Sequence, residues 1–231
     1  MSVLQAQQSA PPQSPSSSSK HDGNPHAPTD SSLDAGEVSN GIYRNKTLGF
    51  SYKIPAGWVL RTEEMNARED ETAAPDSRAP LDRTAEGGCP HPGGCGRVLL
   101  AVFSRPPDAK AEDVNASILI AAESAALYPG LKDAAQYFGP VTEVAKAQGF
   151  EVVNEPYEFT VGANANAAGT KTLVRTDFQK NVGTRVMRQS TLVMLARGYA
   201  VSFTFIGGTE EEVEELVAGL SFVTPAPAQH K

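Results

Sequence analysis

Residues 185–222 read RVMRQSTLVMLARGYAVSFTFIGGTEEEVEELVAGLSF and begin with two strand-like runs joined by a two-residue corner. Gly198 is the second corner residue, where a type I′ turn needs a positive φ, so the pattern predicts a β-hairpin. A loop of Arg197 and Gly198 pairs Ala196 with Tyr199. That register places bulky residues on one face and small residues on the other. The other predicted pairs are Met194 with Val201, Leu192 with Phe203, Leu195 with Ala200 and Val193 with Ser202.

An amphipathic helix is predicted directly after the hairpin. Thr209 is a suitable N-cap, and Glu212 three residues later completes the pattern of a capping box. Apolar residues recur at helical spacing beside a glutamate-rich outer face. They are Val213, Leu216, Val217 and Leu220. The small residues on one face of the hairpin would let a helix approach the sheet closely.

The composition is that of a globular domain with polar ends. The chain has 231 residues, a formal charge of −7, 40% hydrophobic and 20% charged residues. An acidic chain without a Lys/Arg cluster is not typical of a nucleic-acid-binding protein, because phosphates need a basic surface. No stretch reaches the roughly 18 apolar residues of a membrane span.

The two ends predict disorder around one domain. Residues 1–40 are rich in Pro, Ser and Gln and are predicted to be a disordered leader, with a second tail at 225–231. Residues 41–224 are expected to form a single domain. The leader resembles the segment that follows a signal peptide in exported bacterial proteins, so we expect an extracytoplasmic protein whose sequence begins near a cleavage site, with a lipid anchor lost upstream of Met1. The alternative is a cytoplasmic protein with a disordered tail.

Residues 41–184 predict a mixture of strands and helices. Phe50, Tyr52 and Ile54 alternate with polar residues as in a half-buried strand. Residues 61–96 are polar and are predicted to be a long loop insertion. The remaining predictions are a strand at Trp58–Leu60, a buried strand at Arg97–Ser104, a helix within 108–130 with Val114, Ile118 and Ala122 on one face, a short helix at Lys132–Phe138, an ambiguous segment at Val141–Lys146, strands at 150–161 and Lys171–Gln179, and a turn at Asn181–Gly183.

The order of these elements predicts the fold class. The last four strands would form an antiparallel meander that is apolar on both faces in several places. Such a sheet needs cover on both sides. We therefore predict an α+β protein, an antiparallel β-sheet with helices on both faces, arranged as an α/β/α sandwich.

Two motifs resemble the PsbP-like domain family. Residues 41–58, GIYRNKTLGFSYKIPAGW, are similar to the opening of these domains. Residues 197–222, RGYAVSFTF followed by an acidic helix and LSF, are similar to their ending. The family has the α/β/α fold of the photosystem II extrinsic protein, shared with a Ran-binding nuclear import factor and with DcrB-like envelope lipoproteins. The resemblance implies a non-enzymatic domain that binds or helps assemble an unknown protein partner, often outside the cytoplasm.

Cys89 and Cys95 are the residues most suggestive of chemistry. Their C-x5-C spacing differs from the C-x-x-C of thiol oxidoreductases. A structural disulfide between them is predicted, as expected in an oxidising compartment. Two free thiols are the alternative in the cytoplasm, and a metal site that includes His91 is a third interpretation.

Three functional hypotheses follow. The first is a non-catalytic exported binding or assembly-factor domain. The second is a thiol- or metal-dependent enzyme that uses the Cys89–Cys95 loop. The third is a cytosolic interaction protein like the Ran-binding branch. No nucleophile elbow, P-loop or dinucleotide-binding motif occurs in the sequence, so catalytic, cofactor and metal residues are predicted as none.

Several other residues are given structural interpretations. Tyr43 and Trp58 are expected to anchor the core rather than to form an aromatic binding site. The glutamates of the 61–96 segment and of the last helix are expected to be solvated. Asn45 and Asn115 match the glycosylation tripeptide, a pattern that often arises by chance.

Overall fold

A computed structural model describes residues 33–73, 96–106, 109, 113–162 and 169–222 of the chain. These residues form two antiparallel sheets and three α-helices, an α+β arrangement. The strands are β1 Glu37–Ser39, β2 Ile42–Asn45, β3 Phe50–Lys53, β4 Val59–Leu60, β5 Gly96–Phe103, β6 Ser117–Ser124, β7 Glu151–Val161, β8 Lys171–Val182, β9 Arg185–Ala196, β10 Tyr199–Gly207 and β11 Leu220–Phe222. The helices are α1 Thr62–Ala73, α2 Ala134–Ala147 and α3 Glu210–Ala218.

The two sheets differ in size and position. The small sheet has the order β1-β2-β3-β11, and the large sheet has the order β4-β5-β6-β10-β9-β8-β7. The predicted meander is confirmed, because β7, β8, β9 and β10 are successive neighbours. β8 continues past the predicted end at Gln179, since Val182 still pairs with Arg185.

The predicted hairpin is confirmed in register. Ala196 pairs with Tyr199, and the remaining predicted pairs are all present. Arg197 and Gly198 have φ values of 51° and 82°, as a type I′ turn requires. The observed register therefore places bulky residues on one face of the hairpin and small residues on the other, as the sequence predicts.

The predicted helix within 108–130 is wrong over its centre. Ser117–Ser124 form strand β6, which lies between β5 and β10. Ile118, Ile120 and Ala122 are fully buried on one face, at the period of two that a strand requires. The residues between them are also apolar, and that run obscured the period. Pairing with β5 on one side and β10 on the other therefore makes this segment a strand.

The predicted loop at 61–96 is wrong over its first part, where α1 forms. Its Glu, Met, Ala and Arg residues favour a helix even though few of them are apolar. Asn66 in this helix exchanges two hydrogen bonds of 3.0 Å with the backbone of Val98 in β5. The helix is therefore attached to the sheet by polar contacts, which an apolar pattern cannot reveal.

The other differences concern element ends. α2 extends through the ambiguous segment and past Pro140, well beyond the predicted end at Phe138. β1 precedes the predicted start of the domain at Gly41, and Leu33 packs on the core. Thr209 caps α3 as predicted, but the Glu212 carboxylate accepts from the Gly208 N–H and does not close a capping box.

Helices α2 and α3 contact opposite faces of the large sheet. Phe203 and Phe205 of β10 lie in the main core with α3 and the small sheet. Ala200, on the other face of β10, packs with Tyr137 and Phe138 of α2. The small residue permits the close approach that the sequence predicts. The predicted apolar stripe of α3 is buried, although Leu220 belongs to β11.

Candidate functional site

The residues predicted to carry chemistry lie outside the described part of the chain. Cys89, His91 and Cys95 fall within residues 74–95. The disulfide, free-thiol and metal interpretations of this segment therefore stay predictions. Among the residues that the structure describes, no set of three or more His, Cys, Asp and Glu side chains is placed to bind a metal ion.

The two glycosylation tripeptides have asparagines that are already hydrogen-bonded. The Asn45 side chain is buried, donates to the Asp34 carbonyl at 2.8 Å and accepts from the Leu48 N–H at 2.8 Å. The Asn115 amide donates to the Arg105 carbonyl at 3.1 Å. Both side chains thus stabilise local backbone in the folded state.

The two aromatic residues of the opening motif contribute to the core, as predicted. Tyr43 is buried and its hydroxyl donates to the Ala35 carbonyl at 2.9 Å. Burial raises the pKa of Tyr43 to about 12. Trp58 is partly buried and packs against the same core.

A buried ionic cluster joins three strands to α3, and the sequence interpretation missed it. We call this set the Arg175 cluster. Its members are Asn154 and Tyr157 of β7, Arg175 and Asp177 of β8, Ser190 of β9 and Glu214 of α3. Arg175 is only 5% exposed, and its Nε donates to Asp177 Oδ1 at 2.8 Å. Its Nη2 donates to Ser190 at 2.8 Å and also to Glu214.

Asp177 is the acceptor that organises the cluster. Its Oδ1 accepts from Arg175 and from the Ser190 hydroxyl. Its Oδ2 accepts from Asn154 at 3.0 Å and from the Tyr157 hydroxyl at 3.1 Å. Burial alone would raise the pKa of Asp177, but these hydrogen bonds and the Arg175 charge outweigh it and hold the pKa below its ordinary value.

One sequence signal for the cluster existed. Leu173, Arg175 and Asp177 lie on the same face of β8, and Leu173 is buried in the main core, so the two charged side chains share a face with the core. The partners come from positions up to 39 residues away, as for Glu214. Local periodicity carries no information about such contacts. Asp177 accepts hydrogen bonds from residues of β7, β8 and β9, so the cluster links these three strands to one another.

The second candidate site is a groove of about 570 Å³ at the opposite margin of the sheets. It lies between the small sheet on one side and β4, β5 and α1 on the other. Val38 of β1 and Leu60 of β4 are 42% and 50% exposed and face into it. The full lining comprises Ala35, Gly36, Val38, Tyr43, Leu60, Arg61, Thr62, Glu63, Glu64, Asn66, Arg97, Val98 and Leu99.

Val38 is exposed although it belongs to the inner face of the small sheet. It pairs with Tyr43, which pairs with Tyr52, which pairs with Leu220, and these three partners are buried. The core therefore ends before it reaches Val38. The groove is the unfilled margin between the two sheets.

Helix α1 forms one wall of the groove and covers the edge of β5. β4 pairs only with Val102 and Phe103, so the rest of that edge needs other partners. The Ala101 N–H donates to the Thr62 hydroxyl at 3.0 Å, and the Arg61 N–H donates to the Ala101 carbonyl at 2.9 Å. Together with the bonds of Asn66, these contacts satisfy backbone groups that a further strand would otherwise pair.

The rim of the groove carries charges of both signs. Arg61 pairs with Glu64, which also accepts from Arg68 at 2.6 Å. The hydrogen bond from Arg61 is the main cause of the lowered pKa of Glu64, and desolvation opposes it. Within the described residues, no ion pair joins Glu63 or Arg97 to another side chain. An apolar floor with a mixed polar rim is typical of a protein-binding surface.

Comparisons with known proteins give structural matches only. No family model and no curated protein matches the chain. A solution structure of cyanobacterial PsbP from Synechocystis matches with a TM-score of 0.40 and 15% identity, and the match covers 85% of this chain and 99% of that one. This is the family that the motifs at 41–58 and 197–222 resemble.

Two further structures are similar at the same level. LpqN of Mycobacterium tuberculosis, involved in cell envelope biogenesis, has a TM-score of 0.34 and 14% identity over 76% of this chain and 83% of that one. A Pseudomonas aeruginosa protein of unknown function has a TM-score of 0.33 and 16% identity over 52% of this chain and 80% of that one. Similarity at these TM-scores carries no argument about partner or activity.

Proposed function

We propose that this chain is a non-catalytic binding or assembly-factor domain that contacts another protein through the groove. The exposure of Val38 and Leu60 inside the groove carries the proposal. Apolar side chains left uncovered at a concave margin gain free energy when a partner covers them, at about 25 cal/mol per Å² of apolar surface buried. The mixed rim would orient the partner by pairing with charges of either sign.

The occupant that fits is a polypeptide segment with an apolar side chain between polar flanks. Val38 and Leu60 provide the exposed apolar surface of the groove, whereas Leu99 and the Tyr43 ring line it but are almost completely buried. Its rim offers a cation at Arg97 and an anion at Glu63. A uniformly charged ligand would meet repulsion from one of them.

The proposal includes a location and an arrangement. We place the protein outside the cytoplasm, supported by the Pro/Ser-rich leader and by the predicted disulfide between Cys89 and Cys95. No helix in the described part of the chain is long and apolar enough to cross a bilayer. We also propose that the contacts of α2 and α3 with opposite sheet faces belong to an α/β/α sandwich, with residues 41–224 and the preceding 33–40 as one domain.

Site-specific photo-crosslinking tests the proposed surface. A photoreactive amino acid at Leu60 should yield a discrete protein adduct in living cells, whereas the same group at Leu127 should not. Leu127 is a suitable control because it is 38% exposed and does not line the groove. Adding Val38→Asp to the Leu60 probe protein should remove the adduct. Equal labelling at both positions, or an adduct that persists with Val38→Asp, would refute the groove as the binding surface.

Fractionation tests the proposed location separately. The protein should be recovered outside the cytoplasm, and its mass under non-reducing conditions should be lower than that of the reduced chain by two hydrogen atoms. Recovery in the cytosol with both thiols reduced would support the Ran-binding-like alternative instead.

A further inference from the structure

The outer edge of the large sheet at β7 has no strand partner among the residues that the structure describes. β7 is the last strand in the order of that sheet, and among the described residues it pairs only with β8, although β11 of the small sheet lies near it without pairing. Most of its residues are exposed, including Val153 and Tyr157. Its outer backbone N–H and C=O groups have no strand partner in the described part of the chain, so they can accept an added strand.

Only one part of this edge is regular enough to do so. The β7–β8 register shifts between Val152 and Asn154 and again between Asn154 and Tyr157, where Pro156 also removes an N–H. From Tyr157 to Val161 the strand pairs without a break. Five residues span about 17 Å of edge, enough for a short strand. We call this stretch the β7 edge.

The β7 edge is held in place before any partner arrives. The Tyr157 hydroxyl and the Asn154 amide both donate to Asp177, one on each side of Pro156. The Phe159 ring lies 4.8 Å from the guanidinium of Arg175. A strand already ordered by its own sheet loses little conformational entropy when another strand pairs with it.

The charges of β7 select the partner. The strand contains Glu151, Glu155 and Glu158 and no Lys or Arg. No ion pair joins these glutamates to another side chain within the described residues. A second copy of the same edge would bring like charges together, which disfavours self-association. A strand that carries Lys or Arg opposite the glutamates would be attracted.

We propose that the β7 edge binds an extended, basic polypeptide segment by strand addition. Backbone hydrogen bonds to Tyr157–Val161 would supply the register, and Glu155 and Glu158 would select positive charge. The exposed side of the Tyr157 ring would cover an apolar or aliphatic stem of the partner. This surface is separate from the groove and does not depend on the proposed function.

Peptide binding to the full chain tests the proposal. The probe is a seven-residue peptide of alternating Lys and Val. Its matched controls are the same peptide with Glu for Lys and the Lys peptide N-methylated at alternate backbone amides. We expect binding of the Lys peptide only, with slowed hydrogen exchange confined to residues 157–161. Equal binding of the N-methylated peptide would overturn strand addition, as would an absence of binding to the Lys peptide.

Charge variants test the selection. Glu155→Gln with Glu158→Gln should weaken binding of the Lys peptide about 2- to 10-fold, from two exposed ion pairs of modest strength. Glu215→Gln on the exposed side of α3 is the matched control and should leave it unchanged. A Leu60→Asp variant of the groove should also leave it unchanged. If Glu215→Gln weakened binding as much as Glu155→Gln with Glu158→Gln does, selection of the peptide by this edge would be refuted.

Discussion

The space between the small sheet and the large sheet is filled differently at its two margins. At one margin β11 lies near β7, and the buried Arg175 cluster occupies the space beside the main core. At the other margin β1 faces β4, and the space between them is the open groove. The first margin is closed by polar groups that satisfy one another. The second leaves apolar side chains partly exposed.

This difference assigns the two margins different roles, one in the stability of the fold and the other in binding. Polar groups that bond only to each other are expensive to disturb, because each leaves a buried partner unsatisfied. Exposed apolar groups contribute little to folding, since they stay in contact with water. We therefore expect substitutions at the Arg175 cluster to change the free energy of unfolding, and substitutions inside the groove to change binding.

The largest expected effect is that of Asp177→Ala. It would remove the more buried of the two carboxylates that pair with Arg175 and would leave the remaining buried donors of the cluster without an acceptor, which costs about 3 kcal/mol. Urea denaturation followed by circular dichroism would measure this loss. Glu143→Ala is the control, because Glu143 forms only a loose exposed pair with Lys146 at 3.9 Å, and it should change stability by about 0.5 kcal/mol or less. A loss below about 1 kcal/mol for Asp177→Ala would mean that the cluster does not close the margin.

Removal of the groove wall contacts should have the next largest effect. Asn66→Ala deletes two hydrogen bonds to Val98 and leaves partly buried backbone groups of β5 unsatisfied, at a cost of about 1–3 kcal/mol. The amides of residues 98–101 should then exchange faster with solvent. Ala67→Gly on the exposed side of α1 is a control that lowers helix propensity by about 1 kcal/mol without touching β5. Equal exchange in both variants would show that Asn66 does not seal this edge.

A partial loss of stability in acid should distinguish the cluster from the groove. The pKa of Asp177 is lower in the folded chain than the ordinary value near 3.9, so the stabilising contribution is complete above about pH 4. As the pH falls, the unfolded chain binds the proton first, and the contribution is lost through the folded pKa. Unfolding free energies from pH 5 to pH 2 should therefore fall more steeply for the wild type than for Asp177→Asn. Parallel curves would contradict this assignment.

The smallest expected effect is that of Leu60→Ala on folding. Leu60 is half exposed, so its truncation should change the free energy of unfolding by about 0.5 kcal/mol or less. The same substitution should reduce crosslinking of a partner from a probe placed at Val38. A large loss of stability with unchanged crosslinking would reverse the roles assigned to the two margins.

The sequence alone predicted the elements whose signals are local. The hairpin was predicted with the correct register, because a positive φ at Gly198 and the alternation beside it act over a few residues. The cap at Thr209 and the apolar stripe of α3 follow from helical spacing. The failure to close the capping box shows the limit, since Glu212 has more than one backbone N–H within reach.

The tertiary structure determined the features that depend on distant partners. Ser117–Ser124 is a strand because β5 and β10 pair with it on both sides, whereas its apolar run also fits a helix. α1 depends on backbone groups of β5 that no spacing within 61–96 reveals. The Arg175 cluster and the groove each combine side chains from at least four elements. Local periodicity encodes short-range preference, and the energies that build these sites come from contacts between segments far apart in the chain.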